Sequence, residues 1–299
     1  MSTAIPFEVR ADQHPEVVPF FDEPSNTFSY VVFMSGSKQC AVIDSVLDLD
    51  YASGIISSAS VEKIIAYVKD NGLQVEWIME THVHADHLSA APVIQERLGG
   101  RIVIGSQIKV VQETFGKIFN EGTEFERDGS QFDLLIEDGD CLAMGEVSIC
   151  ALHTPGHTPA CMSYVIGDAV FVGDTLFMPD AGTARADFPG GDASTLFHSV
   201  KRVLSLPESF RLFMCHDYGP DGRDLEYQTT VGAQNSSNIH VAAHIQEAEF
   251  VAMREARDAT LAMPRLILPS LQVNMRAGHM PPADDDGRVF LKVPVNAFV

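Results

Sequence analysis

The chain has 299 residues, is 45% hydrophobic and carries a formal net charge of −21. That charge excludes sequence-independent binding to nucleic acid or to anionic membrane surfaces, and no apolar run is long enough to cross a bilayer. The N-terminus has no basic region followed by an apolar stretch, so no secretory leader is expected, and the chain reads as a cytoplasmic protein.

Taken in order, residues 1–25 are polar and rich in Pro and Asp, and suit an arm or entry strand. Residues 28–35 and 40–46 read as paired strands around the turn at 36–38, and 48–60 as a loop. An amphipathic helix is predicted over 61–71, with Ile64, Ile65 and Val68 on one face and Asn71-Gly72 as its stop. A strand at 75–80 precedes a polar run, and 88–98 reads as the helix beyond it. Residues 102–105 form a short strand, and 106–130 read as helical, then looped and acidic. Residues 134–142, 146–153, 163–166 and 169–172 read as consecutive strands, 195–206 as a helix and 211–215 as a strand. Beyond residue 240 the character changes. A charged helix is expected at 247–262, an apolar stretch between prolines at 264–269, a loop at 273–282, a turn at 284–287 and a strand at 289–293.

The strands fall into two groups, one before residue 105 and one over 134–215. A mixed α/β (α+β) fold follows, a four-layer αββα sandwich of two facing sheets with helices outside. Residues 1–240 are expected to form the catalytic domain and 241–299 a C-terminal extension packed on it.

The chemistry concentrates at 81–87, Thr-His-Val-His-Ala-Asp-His, between a strand and a helix. His82, His84, Asp86 and His87 thus leave one strand end together, and imidazole with carboxylate suits zinc, iron or manganese. Three later positions repeat the pattern of strand, then ligand type: His157 after Gly156, Asp174 after Gly173, and His216. If these strands end on one edge of the sandwich, the ligands meet there. The five cysteines are odd in number and contain no C-x-x-C, so they read as buried free thiols, with Cys161 the candidate for a reactive one.

Thr-His-x-His-x-Asp-His, Thr-Pro-Gly-His-Thr, Gly-Asp-Thr and His-Asp-Tyr, in that order, resemble the metallo-β-lactamase superfamily. The text around 80–91, 182–191, 215–218 and 257–269 is similar to persulfide dioxygenases and their β-lactamase-hydrolase-like branch. The resemblance implies one iron(II) per chain on His82, His157 and Asp174, a facial triad with positions open to O2 and glutathione persulfide. Sulfite and glutathione are the implied products. His84, Asp86, His87 and His216 then serve catalysis as outer groups that orient ligands. The alternative is a dinuclear zinc thioester hydrolase of the glyoxalase II type, with two ions about 3.5–4 Å apart. There, His82, His84 and His157 hold one ion, Asp86, His87 and His216 the other, and Asp174 bridges. A third reading, a sulfur carrier or sensor with structural metal, conflicts with the absence of a cysteine-rich cluster.

The resemblance assigns Tyr218 and Arg185 to glutathione, and an ion pair with Asp187 is a further expectation for Arg185. It departs from the family pattern after residue 218. Asn235 stands where a basic residue is usual, and His240 where a glutathione-contacting arginine is usual, so His240 is the third substrate-binding candidate. Arg276 is a possible source of replacement charge. A homodimer is expected by resemblance alone.

Overall fold

A computed structural model describes residues 4–296. The first sheet contains β1 (Glu16–Asp22), β2 (Thr27–Phe33), β3 (Gln39–Ile43), β6 (Gln74–Met79), β8 (Arg101–Gly105) and β9 (Leu134–Ile136), side by side in that order. The second contains β10 (Cys141–Met144), β11 (Val147–His153), β12 (Met162–Ile166), β13 (Ala169–Phe171), β14 (Arg211–Phe213) and β15 (Gln228–Thr230). A small third sheet joins β4 (Val46–Asp50) to β5 (Ile55–Ser57) and β7 (Leu88–Ser89).

Period-two alternation explains how the layers form. In β2, Phe28, Tyr30 and Val32 face the second sheet, where Ile149, Tyr164, Ile166, Phe171 and Phe213 meet them. Val31, between them, points to the outer face with Val42, Ile78, Ile102 and Ile104. That face is covered by α1 (Ala59–Asp70), α2 (Ala91–Leu98) and α3 (Ile108–Ile118) through Val61, Ile64, Ile65, Ile94, Val111 and Phe115. The outer face of the second sheet, with Leu152, Val165, Val170 and Leu212, is covered by α4 (Ala193–Val203), whose Leu196, Val200 and Val203 recur at helical spacing. Asp192 caps α4 by accepting from the Thr195 N–H at 2.7 Å. Strands buried on both faces read as continuous apolar runs, as β2 does. The αββα sandwich is therefore present.

The chain beyond residue 240 enters both cores. After α5 (Val231–Ser237), α6 (Glu247–Asp258) sends Phe250 into the second-sheet core. Then α7 (Ile267–Asn274) sends Ile267, Leu271 and Val273 into the first.

Several local expectations are corrected. The predicted loop 48–60 contains the β4–β5 hairpin. Residues 134–142 are not one strand: β9 and β10 belong to different sheets, and the turn between them carries the chain across the sandwich. The helix predicted from 88 begins at Ala91, because Leu88 and Ser89 pair with Leu47 and Val46. The proline-bounded stretch and the loop after it contain α7, which places Pro269 in its first turn, where a missing N–H costs no bond. No strand forms at 289–293. The free-thiol reading fails for two cysteines. Antiparallel register sets Cys141 directly opposite Cys150, and they form a disulfide. Cys40, Cys161 and Cys215 are free and buried. Cys161 is not suited to react, since burial pushes its thiol up to about 12.

Candidate metal centre

Four strand ends deliver the site. β6 runs into the 80–87 loop, β11 into His157, β13 into Asp174 and β14 into His216. The two sheets are stitched at this edge by a bridge between Thr27 and His216, with the Phe28 N–H donating to Cys215 O at 2.7 Å. Two glycines let the backbone approach closely enough. Gly156 sits at φ +137°, where a Cβ would fall 2.3 Å from Leu196 Cα. Gly173, at φ +50°, would put one 2.6 Å from Thr81 Oγ1.

Asp174 is the hub. Its Oδ2 lies 3.6 Å from His157 Nε2 and 3.9 Å from His82 Nε2, and its Oδ1 lies 3.2 Å from His216 Nε2. His216 Nε2 is also 3.6 Å from Asp86 Oδ2. Ligand atoms of His82, His157 and Asp174 all lie within 4.8 Å of one another, and those of His84, Asp86 and His87 form a second such set.

Hydrogen bonds behind the rings aim them inward. His157 Nδ1–H donates to Arg185 O at 2.8 Å, His216 Nδ1–H to Asn26 O at 3.2 Å, and His87 Nδ1–H to Leu88 O at 2.9 Å. The Thr81 hydroxyl donates to Asp44 at 2.8 Å and so accepts from His82 Nδ1–H at 3.0 Å. The rings of His82, His87 and His157 therefore present a bare Nε2 lone pair to the site, while His216 turns its Nε2 to Asp174. His84 is turned the other way. Its Nε2–H donates to Asp44 Oδ1 at 3.0 Å, with Glu80 Oε2 at 3.3 Å, leaving Nδ1 free.

Protonation suits a metal. Burial drives His82 and His87 down in pKa, towards the neutral ligand form. Burial opposes charge on Asp174, yet His216 and its neighbours hold the carboxyl well below its ordinary range. His82 Nε2, His84 Nδ1, His87 Nε2 and Asp174 Oδ1 are buried without a hydrogen-bond partner. Buried polar atoms are rarely left so; these fall in two sets, His82 with Asp174 and His84 with His87, and nitrogen and oxygen donors of this kind fit divalent cations.

A cavity of about 640 Å³ opens over His157, Asp174 and His216. Phe188 packs against the His157 ring at 5.1 Å, and Tyr218 stacks on His216 at 6.1 Å. Tyr218 and Arg185 both line the cavity. Arg185 is held by a twofold bond to Asp187, by Ala262 O at 2.7 Å and by the Phe188 face.

Other candidates lie elsewhere. His240 does not line this cavity. It accepts from the Thr183 N–H at 3.1 Å, and burial with Arg254 nearby lowers its pKa to about 4, so it supplies no cation. Asn235 donates to Leu204 O. Arg276 is buried in an ion pair with Glu121 at 2.9 Å and lies over the Phe125 ring, so the expected replacement charge is not there.

Sequence reasoning missed the contribution of the C-terminal segment. Asn274 accepts from the Ser89 N–H at 2.8 Å and donates to His84 O and His87 O at 2.9 and 2.8 Å, clamping the metal loop from behind. The buried pair Arg254–Asp258 clamps the other side. Arg254 donates to Thr183 O, and Asp258 accepts from the Ala186 N–H, so they bracket Arg185, whose carbonyl orients His157. No local spacing signals either clamp, because each reaches across more than 70 residues.

The Metallo-beta-lactamase superfamily model matches residues 22–216. A protein named probable metallo-hydrolase from Burkholderia pseudomallei is 56% identical, covering 93% of this chain and 98% of its own length. Glyoxylase B2 of Dictyostelium discoideum is 46% identical, over 94% of this chain and 96% of that protein. Human mitochondrial persulfide dioxygenase ETHE1 is 28% identical over 88% of each. The crystal structure of ETHE1 from Myxococcus xanthus superposes with a TM-score of 0.71 at 28% identity, covering 88% of this chain and all of that one. Sheet topology, ligand order and these matches together place the chain in the metallo-β-lactamase superfamily, as a metal-binding member of it.

Proposed function

We propose that the chain is an iron(II)-dependent persulfide dioxygenase that converts glutathione persulfide, O2 and water to glutathione, sulfite and two protons. The observation that carries this reading is the compact set His82, His157 and Asp174, two imidazoles and one carboxylate, of which His157 and Asp174 line the cavity and His82 is buried behind them, with His84 in a separate set. Such a triad leaves positions for two further ligands, which a dioxygenase needs and a structural site does not. The chemistry supplied by iron(II), when bound, is the activation of O2 for transfer to sulfur.

The chain's own residues do the rest. The carbonyl of Arg185 and the hydroxyl of Thr81 fix the tautomers of His157 and His82. His216, beside Asp174 and Asp86, is placed to hold a proton next to the cavity, and Asp174 raises its pKa against the effect of burial. Phe177 and Phe188 give the reacting end apolar walls that disfavour water. His84, Asp86 and His87 orient the site from outside the triad, and Arg185 and Tyr218 contact the thiol carrier. We place the enzyme in the cytoplasm as a homodimer.

A second reading, the dinuclear zinc thioester hydrolase, is favoured by one feature. The two oxygens of Asp174 face different histidines, as a bridging carboxylate would. One experiment separates the two: metal content of anaerobically purified protein, with O2 uptake on added glutathione persulfide. About one iron per chain with persulfide-dependent uptake is expected. About two zinc per chain, no uptake, and loss of one ion in His216→Ala would establish the hydrolase instead.

A further inference from the structure

The cavity over the metal centre is lined by four arginines, Arg185, Arg254, Arg257 and Arg265. Two are neutralised: Arg185 by Asp187 at 2.6 Å and Arg254 by Asp258 at 2.6 Å. The cavity's Asp180 is neutralised in turn by Arg223 at 2.7 Å. Arg257 and Arg265 have no ion pair or side-chain hydrogen bond among the described residues, and both are exposed. Beyond the metal ligands, then, the wall presents two cations without an ion pair, Arg265 with Asp50 as a more distant electrostatic neighbour, on a chain whose net charge is −21. Both come from the C-terminal segment.

Their placement is built. Arg257 lies in the last turn of α6, beside Asp258, whose carboxylate is bonded to the Ala186 N–H and anchors that turn to the cavity wall. Arg265 lies on the strap 259–266 that joins α6 to α7, and Arg185 pins this strap through Ala262 O at 2.7 Å. The strap also contributes Leu261, Pro264 and Leu266 to the lining, so apolar surface flanks the two cations.

We propose that Arg257 and Arg265 form a clamp for carboxylates of the thiol carrier, and that they, rather than Arg185 or His240, set carrier specificity. The proposal rests on the persulfide dioxygenase reading for what is carried, but the clamp is a statement about binding. Two guanidinium forks suit two carboxylates, each bound bidentately, and a cavity of this size suits a tripeptide thiol. An anionic carrier approaching an acidic protein gains most from cations at the cavity it enters.

The test is calorimetric binding of S-methylglutathione, which cannot turn over, to the metal-loaded protein and to Arg257→Gln, Arg265→Gln and the double variant. Each single variant should weaken binding about 10-fold, and the double about 100-fold, with metal content and melting temperature unchanged. The diethyl ester of the same ligand should bind the wild-type protein weakly and be indifferent to the substitutions. S-methyl coenzyme A tests phosphate as the recognised anion. If it binds more tightly than S-methylglutathione and alone responds to the variants, the carboxylate assignment is overturned. Wild-type affinity for S-methylglutathione in the double variant overturns the clamp. Should the wild-type protein show no O2 uptake while the variants still lose S-methylglutathione, the clamp stands and the dioxygenase reading falls. If uptake is present and KM for glutathione persulfide is the same in the double variant, only the clamp falls.

Discussion

The two ends of the cavity are built on opposite principles. At the metal end the candidate ligands are buried, Asp86 only partly, they follow strand termini, and the histidines are held from behind by backbone, hydroxyl or carboxylate partners. At the end proposed to take the carrier the groups are the exposed Arg257, Arg265 and Tyr218, on a helix end, a strap and a loop. Catalytic metal demands fixed geometry, which burial and hydrogen bonding supply. Recognition of a flexible anionic carrier tolerates mobile side chains and uses charge instead. The C-terminal segment serves both ends, with Asn274 and the Arg254–Asp258 pair behind the metal and Arg257 and Arg265 at the cavity mouth.

The comparison breaks most severely at Asp174. Asp174→Ala should abolish metal binding and lower turnover far beyond the roughly 10–100-fold expected for outer groups. Inductively coupled plasma metal analysis beside an activity assay checks this, and a variant that keeps both metal and activity would remove the hub from the site.

Next comes Arg254→Met, which leaves Asp258 buried without its cation. A loss of about 3–5 kcal/mol is expected in urea unfolding. The same substitution at exposed Arg257 should change stability by less than about 0.5 kcal/mol, which sharpens the contrast between the anchoring and the recognising arginine.

Asn274→Ala tests whether the tail shapes the metal end. It strips partners from the Ser89 N–H and from the carbonyls of His84 and His87. Metal affinity, read by competition with a chelator, should fall about 10–100-fold. An unchanged affinity would make Asn274 a fold residue only.

The smallest effect is expected far from the cavity. Asp168 is partly buried, but hydrogen bonds from Arg211 and His14 outweigh that and hold its pKa below the ordinary value. Its contribution is therefore full above the unfolded pKa, about 4, and is lost as pH falls through the lower folded value. Asp168→Asn should cost about 1 kcal/mol at pH 7, after allowance for solvent screening, and the difference from wild type should fade below about pH 4. A difference that persists at pH 3 would show that shape, not charge, is what Asp168 supplies.

The sequence by itself determined the layers and which metal-binding side-chain types gather at one edge. Alternating and continuous apolar runs specify strands without tertiary help, and His82, His84, Asp86, His87, His157, Asp174 and His216 follow strands closely enough to be read as one edge. Gly156 and Gly173 were legible too, since only glycine permits those approaches. Tertiary structure decided what local pattern does not encode. Register paired Cys141 with Cys150, although nothing in their spacing required it. Residues 134–142 split between two sheets because an apolar run carries no record of which sheet takes it. The tail's role was illegible because Asn274, Arg254 and Asp258 act on backbone groups distant in sequence, and any backbone carbonyl or N–H looks like every other. The difference between a paired arginine and a free one, which separates Arg185 from Arg257 and Arg265, exists only once folding has chosen their neighbours.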